Sequence, residues 1–272
     1  MSGRASGKRV ADIAPSRLAQ LNAGTVEATT LTECLAVDFA ALMAAALPEI
    51  GEEAIGTMRQ ASTDGISRRM ALAAQLIRQA LVDEHQGASM LDRLRRHPSD
   101  TVRGWACFLV GATPDRTLHQ RLQLIRPLAD DMHFGVREWA WMAVRPHIAK
   151  EIESAIRELA AWTHAPSERL RRFACEATRP RGVWCAHIAT LRQCPEQALP
   201  ILEPLRADPS PYVQDSLGNW LNDASKDRPD WVQDLCDRWS SQSPTPQTQR
   251  ICRRALRSLT RKASSETKGP HR

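Results

Sequence analysis

The sequence contains a five-residue pattern, Val-Arg-x-x-Ala, that recurs at long and similar intervals through its last two-thirds. The copies, the later ones weaker, begin at Val102, Val136, Leu170, Val213 and Ile251. The first three starts are 34 residues apart, and the later intervals are 43 and 38 residues. A period of this size predicts stacked pairs of helices. We therefore expect an all-α fold of the α-solenoid type.

Each position of the pattern has an expected place in such a repeat. The small Ala suits a seam where two helices approach closely. The Arg that follows the Val points away from that seam, so it is available either to a partner or to the neighbouring repeat. A stack of helix pairs has a concave face. We expect the side chains that line this face to decide the function.

The charge of the chain allows two interpretations. The formal net charge is +6, and residues 250–272 hold eight Lys or Arg but one acid, Glu266. Excess positive charge favours polyanions such as nucleic acid. Basic ends are also common as solvated tails that serve only solubility. Charge alone leaves both interpretations open.

Cysteine usage and hydropathy indicate the compartment. The seven cysteines form no C-x-x-C pair, which is typical of reduced thiols in a cytosolic protein. The longest apolar run, Phe39 to Leu47, is too short to span a membrane. The first residues lack the apolar core of a signal peptide. We expect a soluble, cytoplasmic protein with no membrane contact.

Turn signals divide the chain into four segments. We expect a disordered tail over 1–12, N-terminal helices that pack on the solenoid over 13–86, the repeats over 87–260 and a basic disordered tail over 261–272. The clearest predicted helices cover residues 31–47, 66–82, 121–128, 150–163 and 195–205. No stretch has the period-two alternation of a strand.

The eight tryptophans all lie between Trp105 and Trp239. Most tryptophans in helical repeats are core residues. Trp139 and Trp141 are two positions apart, so they cannot share one helix face. At least one of them is therefore expected to face away from the seam.

Familiar catalytic motifs are missing. The sequence has no G-x-x-x-x-G-K-[ST], no G-x-G-x-x-G and no H-E-x-x-H. The histidines are scattered, and Cys185-Ala186-His187 is an isolated pair. This pattern predicts no metal site.

Two stretches carry residues that could do chemistry. In the first, Glu176 ends a helix and is followed by Arg179-Pro180-Arg181 and then Trp184. Pro180 ends the helix, so the two arginines sit on a loop, where they suit phosphate contacts. The structural alternative is that Glu176 only pairs with Arg179 or Arg172.

The second stretch places Asn222-Asp223 late in an apolar helix, one repeat after Glu176. An acid near a helix C-terminus is unfavourable for the helix dipole unless a cation lies opposite. The structural alternative is that Asp223 caps the next helix, which contains Pro229. The interval of 43 residues falls between these two stretches, so we expect the active site where the repeat loses its regularity.

These stretches resemble the bacterial DNA alkylation repair glycosylases of the AlkC and AlkD type, nearer the AlkC branch. The likeness runs from about residue 97 to 240. The residues that carry it are Val136-Arg137-Glu138-Trp139-Ala140-Trp141 with Arg145-Pro146, Glu176 to Arg181 with Trp184, and Asn222-Asp223 with Lys226, Asp227, Pro229 and Asp230. The resemblance implies a right-handed α-solenoid of HEAT-like repeats with a DNA-binding concave face.

The resemblance also implies an activity and roles for residues. The family removes cationic alkylated bases, such as 3-methyladenine or 3-methylcytosine, from duplex DNA. The resemblance further implies a monomer that uses no metal and no other cofactor. Carried over to this sequence, the roles are catalysis for Glu176 and Asp223, base or sugar contact for Trp184 and Trp141, and DNA binding for Arg145, Arg172, Arg179 and Arg181. The segments around both acids depart from the family. Cys175 and Ala177 flank Glu176, and Trp220 stands before Asn222-Asp223 where the family often carries an Asn.

Two further functions stay open at this point. One is a catalytically silent HEAT-repeat protein that recognises bent or damaged DNA. The other is a protein-interaction scaffold, which is a common use of α-solenoids. Convergence of Glu176, Asp223 and a tryptophan on one basic face would favour the enzyme.

Overall fold

The computed structural model describes residues 9–81, 84–182 and 185–266. The side chains of residues 84, 85 and 261–266 are not described. Every regular element in the described part of the chain is helical, and no strand occurs there. The prediction of an all-α fold is therefore confirmed. No helix in these ranges is long and apolar enough to cross a bilayer.

The chain divides into two compact units, Met1–Val144 and Arg145–Arg272. This division falls inside one helix, α9. The predicted segment boundaries at residues 12, 86 and 260 stay predictions. The first unit holds eight complete described α-helices: α1 Pro15–Asn22, α2 Leu31–Ala36, α3 Phe39–Ala46, α4 Glu52–Gln60, α5 Ile66–Gln79, α6 Glu84–Arg95, α7 Asp100–Ala112 and α8 Leu118–Ala129.

Helix α9, Phe134–Lys150, begins in the first unit and ends in the second. The other described helices of the second unit are α10 Ile152–Trp162, α11 Glu168–Ala177, α12 Ala189–Gln193, α13 Leu199–Leu205, α14 Pro211–Ala224, α15 Pro229–Gln242 and α16 Pro246–Glu266. Short 3-10 turns cover Val10–Asp12, Pro48–Ile50, Ala61–Thr63 and Pro195–Ala198.

The repeated pattern supplies the core of both units. Its first and last positions are buried in every copy, at Val102 and Ala106, Val136 and Ala140, Leu170 and Ala174, Val213 and Leu217, and Ile251 and Ala255. The pattern lies in helices α7, α9, α11, α14 and α16. Burial of the small residue lets two helices approach closely, as in α11 against α14 and α14 against α16.

Serines start three of these helices. Ser99, Ser167 and Ser210 precede α7, α11 and α14, and each side chain accepts a hydrogen bond from a main-chain N–H of the first turn. A serine in this position stabilises a helix by about 1 kcal/mol. The polar stretches that separate the repeats are therefore helix caps.

The recurring arginine braces the turn in front of its own helix. Arg103 donates to the carbonyls of His97 and Pro98, and Arg171 donates in the same way to Ala165 and Pro166. Arg137 repeats this contact at residues 131 and 132.

Two of these arginines also reach the turn that precedes a following repeat. Arg103 Nε lies 2.9 Å from Asp131 Oδ2, and Arg171 Nε lies 2.6 Å from Asp208 Oδ2. Of the two roles that the sequence leaves open, the structure shows the contact with a neighbouring repeat. In the fourth copy Gln214 takes the place of the arginine and donates to the carbonyl of Asp208.

Two predicted elements differ from the structure. The helix expected over 31–47 is two helices, because Asp38 leaves the helical path and its carboxylate caps α3 at Ala40 and Ala41. The tail expected to be disordered from residue 261 is helical as far as Glu266, since no Gly or Pro interrupts the chain between Pro246 and Gly269. Residues 267–272 lie outside the described part of the chain.

Candidate active site

The two predicted carboxylates lie on neighbouring helices of the second unit. Glu176 is in the last turn of α11, and Asp223 is in the last turn of α14. Both residues are about 95% buried, each being 5% exposed. Asp223 lies inside α14, and the residue that precedes α15 is Arg228, so the alternative in which Asp223 caps the next helix is wrong.

One guanidinium joins the two carboxylates. Arg179 Nη1 donates to Glu176 Oε1 at 2.6 Å. The same side chain donates to Asp223 Oδ2 from Nε at 2.9 Å and from Nη2 at 2.6 Å. Arg179 can take this position because α11 ends at Ala177 and the chain then turns toward the end of α14. The arginine holds both acids beside one another.

Further groups complete the surroundings of each acid. Ser216 Oγ donates to the second oxygen of Glu176 at 2.6 Å. Arg172 Nη2 is 3.6 Å from that oxygen, so the expected pairing of Glu176 with nearby arginines is present alongside the shared contact. Lys226 Nζ donates to Asp223 Oδ1 at 3.1 Å. Three cations thus surround two carboxylates.

Burial and charge act in opposite directions on Glu176. Burial favours the neutral acid and would raise its pKa. The positive charges of Arg172 and Arg179, with the hydrogen bonds from Ser216 and Arg179, outweigh burial and hold the pKa below its usual value of 4.5. The pKa of Arg179 is raised: burial works against its charge, but both carboxylates favour it. Glu176 and Arg179 are therefore both charged at neutral pH.

Helix α14 presents three side chains of one face to α11 and to the loop that follows α11. Tyr212 lies under the Arg172 guanidinium, 4.5 Å from ring centre to Cζ, while Ser216 holds Glu176 and Asp223 meets Arg179. Positions 212, 216 and 223 share one helix face. Sequence analysis missed Tyr212 and Ser216, although their helical spacing before Asp223 is a signal that could have found them.

Arg145 is predicted to bind DNA, but its side chain is occupied inside the protein. The residue is 2% exposed. It donates to the carbonyls of Ala177 at 2.9 Å, Arg179 at 2.6 Å and Ala186 at 3.3 Å. Arg145 therefore fastens both sides of the loop that follows α11, and its DNA-binding role stays a prediction.

Arg181 and Arg192 share one aspartate beside this site. Arg181 Nη2 lies 2.8 Å from Asp227 Oδ1, and Arg192 Nη2 lies 2.7 Å from the same atom. Hydrogen bonds from Arg192 and Arg181 lower the pKa of Asp227 to about 2. The DNA-binding roles of Arg172, Arg179 and Arg181 stay predictions, and the structure places all three in ion pairs.

Of the two predicted aromatic contacts, the structure describes only Trp141. Trp184 lies outside the described residues. Trp141 belongs to the first unit, is 5% exposed and donates from its indole nitrogen to Glu138 at 2.9 Å. Trp139 is also buried, at 8% exposed. The expectation that one of these two tryptophans faces away from the seam stays a prediction.

Within the described ranges, no group of three or more His, Cys, Asp or Glu side chains could hold a metal ion. The two carboxylates instead meet guanidinium, ammonium and hydroxyl donors. Trp220 lies nearby, and its indole nitrogen donates to the carbonyl of Thr178 at 3.0 Å, which fixes the start of the loop after α11.

The buried acid pair is compatible with the family indicated by sequence comparison. The DNA alkylation repair enzyme family matches residues 66–259. The protein belongs to this family. The match includes α11, α14 and all the residues around Glu176 and Asp223.

The chain is also similar to individual proteins. The uncharacterized protein YhaZ of Bacillus subtilis is 39% identical over 124 residues, which are 46% of this chain and 34% of that protein. The alkylpurine DNA glycosylase AlkC of Pseudomonas fluorescens, solved with DNA containing an abasic site analog, superposes with a TM-score of 0.66 at 26% identity. That match covers 84% of this chain and 62% of the other.

AlkD2 of Streptococcus mutans shares the fold, with a TM-score of 0.58 at 21% identity over 75% of this chain and 97% of that one. The chain thus spans about a third of the curated relative and less than two-thirds of the Pseudomonas protein. The helical-repeat architecture is common to all of these structures.

Proposed function

We propose that this protein is a monomeric DNA glycosylase of the cytoplasm that removes cationic N-alkylated bases from duplex DNA. The observation that carries the proposal is the buried pair of Glu176 and Asp223 held by one arginine, in a chain of the DNA alkylation repair family. Further support is the DNA-bound relative from Pseudomonas fluorescens.

The proposed reaction suits two carboxylates that lie beside one another. An alkylated base that carries a positive charge leaves with the electron pair of its glycosidic bond and becomes neutral, so it needs little help from an acid. The positive charge then develops on the sugar at C1′ and O4′. Carboxylates placed beside C1′ stabilise this oxocarbenium-like state, and such fixed charges are worth several kcal/mol in a buried site.

The two acids are proposed to differ in their roles. The low pKa of Glu176 makes it a weak proton acceptor and a good stabiliser of positive charge. Asp223 is proposed to orient the water whose oxygen attacks C1′ and whose proton passes to a carboxylate or to solvent. The step uses water alone and involves no cofactor. Either 3-methyladenine or 3-methylcytosine fits this chemistry.

Base release tests the proposal. Duplex DNA treated with a methylating agent is incubated with the protein, and released bases are separated by chromatography. We expect release by the wild type and losses of at least about 100-fold for Glu176→Gln and Asp223→Asn. Glu203→Gln is the matched control, because Glu203 pairs with Arg238 on the same unit but lies outside the acid pair.

Three results would count against this proposal. If the wild type releases no cationic base yet binds duplex DNA in a salt-sensitive manner, the protein is a silent DNA-binding repeat protein. If it does neither, the scaffold function is favoured. Wild-type rates in both acid variants would remove Glu176 and Asp223 from the mechanism.

A further inference from the structure

Helix α16 carries a row of arginines along one edge of its contact with α14. Between Pro246 and Glu266 the sequence has six Lys or Arg and no acid before Glu266. Arg250, Arg254 and Arg257 recur at intervals of four and three residues, so they share one face of the helix. We call these three residues the α16 arginine row.

Helix α14 orders this row through two side chains. Asp215 Oδ1 is 2.8 Å from Arg250 Nη2 and 3.3 Å from Arg254 Nη1. Asn219 Oδ1 accepts from Arg254 Nε at 3.0 Å and from Arg257 Nη2 at 3.1 Å. Asp215 thus meets the guanidinium groups of Arg250 and Arg254, whose side chains stay 42% and 39% exposed.

The stem of Arg254 is fixed by a glycine. A Cβ atom added at Gly218 of α14 would lie 2.8 Å from Arg254 Cβ and 2.9 Å from its Cδ. Only glycine leaves room for the arginine at this crossing, although glycine inside a helix costs about 1 kcal/mol relative to alanine. The guanidinium remains accessible, since the Arg254 side chain is 39% exposed.

The row lies next to the acid pair along α14. Asn219 and Asp223 are one helical turn apart, about 6 Å along the axis, and on the same face. Asn222 ties the two helices together here, because its Nδ2 donates to the carbonyl of Ala255 at 2.8 Å and to Ser258 Oγ at 3.0 Å. Seven residues of α16 separate the ends of the row, which is about 10 Å.

These dimensions fit a nucleic acid backbone. A DNA strand carries one negative charge per roughly 3.4 Å of helix axis, so a row of this length can reach about three phosphates. Guanidinium groups bind phosphate oxygens with paired hydrogen bonds. Arg145 is 2% exposed and the Arg179 side chain 15%, whereas the side chains of Arg250 and Arg254 are far more accessible.

We propose that the α16 arginine row binds the phosphodiester backbone of the DNA strand whose base enters the site at Glu176 and Asp223. This inference rests on the proposed function for the position of the base. The binding surface itself depends only on the row. Asp215 limits the positive charge of the row, and Asn219 sets the spacing of its guanidinium groups.

Salt-dependent binding of a fluorescein-labelled 25-base-pair duplex to the full chain tests the row. The variant Arg250→Gln/Arg254→Gln/Arg257→Gln is compared with wild type by anisotropy from about 50 to 200 mM salt. Each lost phosphate contact lowers the slope of log K against log salt by about 0.9, so we expect a decrease of roughly 2 to 3. At 100 mM salt the Kd should rise at least about tenfold.

The matched control changes net charge equally at three exposed arginines of the first unit, in the variant Arg59→Gln/Arg68→Gln/Arg78→Gln. It should keep most of the wild-type slope. Equal losses in the two triple variants would overturn the proposal, because net charge alone would then explain binding. A wild-type slope in the α16 variant would overturn it as well.

Two more variants separate charge from folding. Arg250→Lys/Arg254→Lys/Arg257→Lys keeps the charges and should keep most of the slope. Asp215→Asn removes the carboxylate from the row and should tighten binding about threefold or more. Weaker binding in Asp215→Asn would overturn the proposal. Base release by the wild type is measured separately, so the proposal that the row binds DNA can be supported even if no base is released.

Discussion

Removal of the Ser216 hydroxyl tests whether the surroundings of Glu176 keep this acid ionised. The bond from Ser216 Oγ to Glu176 Oε2 is 2.6 Å long, which is typical of a hydroxyl that donates to a carboxylate. Ser216 and Glu176 are 2% and 5% exposed, so water does not replace the lost donor easily. A hydrogen bond to a charged group of this kind contributes about 1.5 to 3 kcal/mol.

We expect Ser216→Ala to lower the free energy of unfolding by that amount at pH 7, measured by urea denaturation. The pKa of Glu176 in the folded protein is below its unfolded value. Its contribution to stability is therefore complete above pH 4.5 and is lost as the pH falls through the lower, folded pKa. The difference between variant and wild type should shrink over the same range of pH.

The same substitution has a catalytic readout. Without the Ser216 donor the pKa of Glu176 rises, so the acid limb of the base-release profile should move to higher pH. A loss of about 1.4 kcal/mol in stabilisation of the transition state lowers kcat about tenfold. Ser216→Thr, which keeps a hydroxyl, should recover most of both effects.

Ser240→Ala is the matched control. The Ser240 hydroxyl donates to the carbonyl of Cys236 within its own helix, so its loss should change stability by less than about 0.5 kcal/mol. If Ser216→Ala matches Ser240→Ala in stability and in the position of the acid limb, the hydroxyl does not hold Glu176 in its ionised form.

Three further perturbations test the packing of the repeats. Arg171→Ala breaks a mostly buried ion pair and should cost about 3 kcal/mol in urea unfolding, whereas a loss under 0.5 kcal/mol would show that the pair is not coupled to folding. Gly111→Ala would place a Cβ 2.5 Å from a main-chain oxygen of α9 and should destabilise by about 1 to 3 kcal/mol. Gly56→Ala, in open space on α4, should stabilise by up to about 1 kcal/mol. If both glycine substitutions change the free energy of unfolding in the same direction, this packing is contradicted. Burial raises the pKa of the Cys175 thiol to about 12, so iodoacetamide at pH 8 should label the partly exposed Cys185 first. Peptide mass spectrometry measures the two labelling rates, and equal rates would contradict the burial of Cys175.

The repeat could be predicted because one local rule covers every copy. Val and Ala recur where two helices touch, and polar caps precede three of the helices, so the helices and their core faces follow from spacing alone. The break at Asp38 escaped prediction because the surrounding alanines favour one continuous helix. Its cause is partly distant in sequence, since Asn22 accepts a hydrogen bond from the Asp38 main chain.

The arginines show where sequence reasoning stops. A loop arginine suits a phosphate, a carboxylate or a carbonyl equally well. The acceptors of Arg145 lie 32 to 41 residues along the chain, at Ala177, Arg179 and Ala186, and only the fold brings them together. The two acids were easier to find, because Glu176 and Asp223 occupy late positions in pattern-bearing helices.

The braces made by Arg103 and Arg171 have a consequence for cooperativity. Each arginine joins the turn before its own helix to an aspartate in a following turn, so one repeat cannot open without loosening the next. In a linear array such nearest-neighbour coupling determines whether unfolding is all-or-none or proceeds from the ends. Where Gln214 replaces the arginine, the coupling takes another form, because Asp215, Asn219 and Asn222 of α14 bind α16. Hydrogen exchange should therefore show these helices opening as cooperative groups, and not one helix at a time.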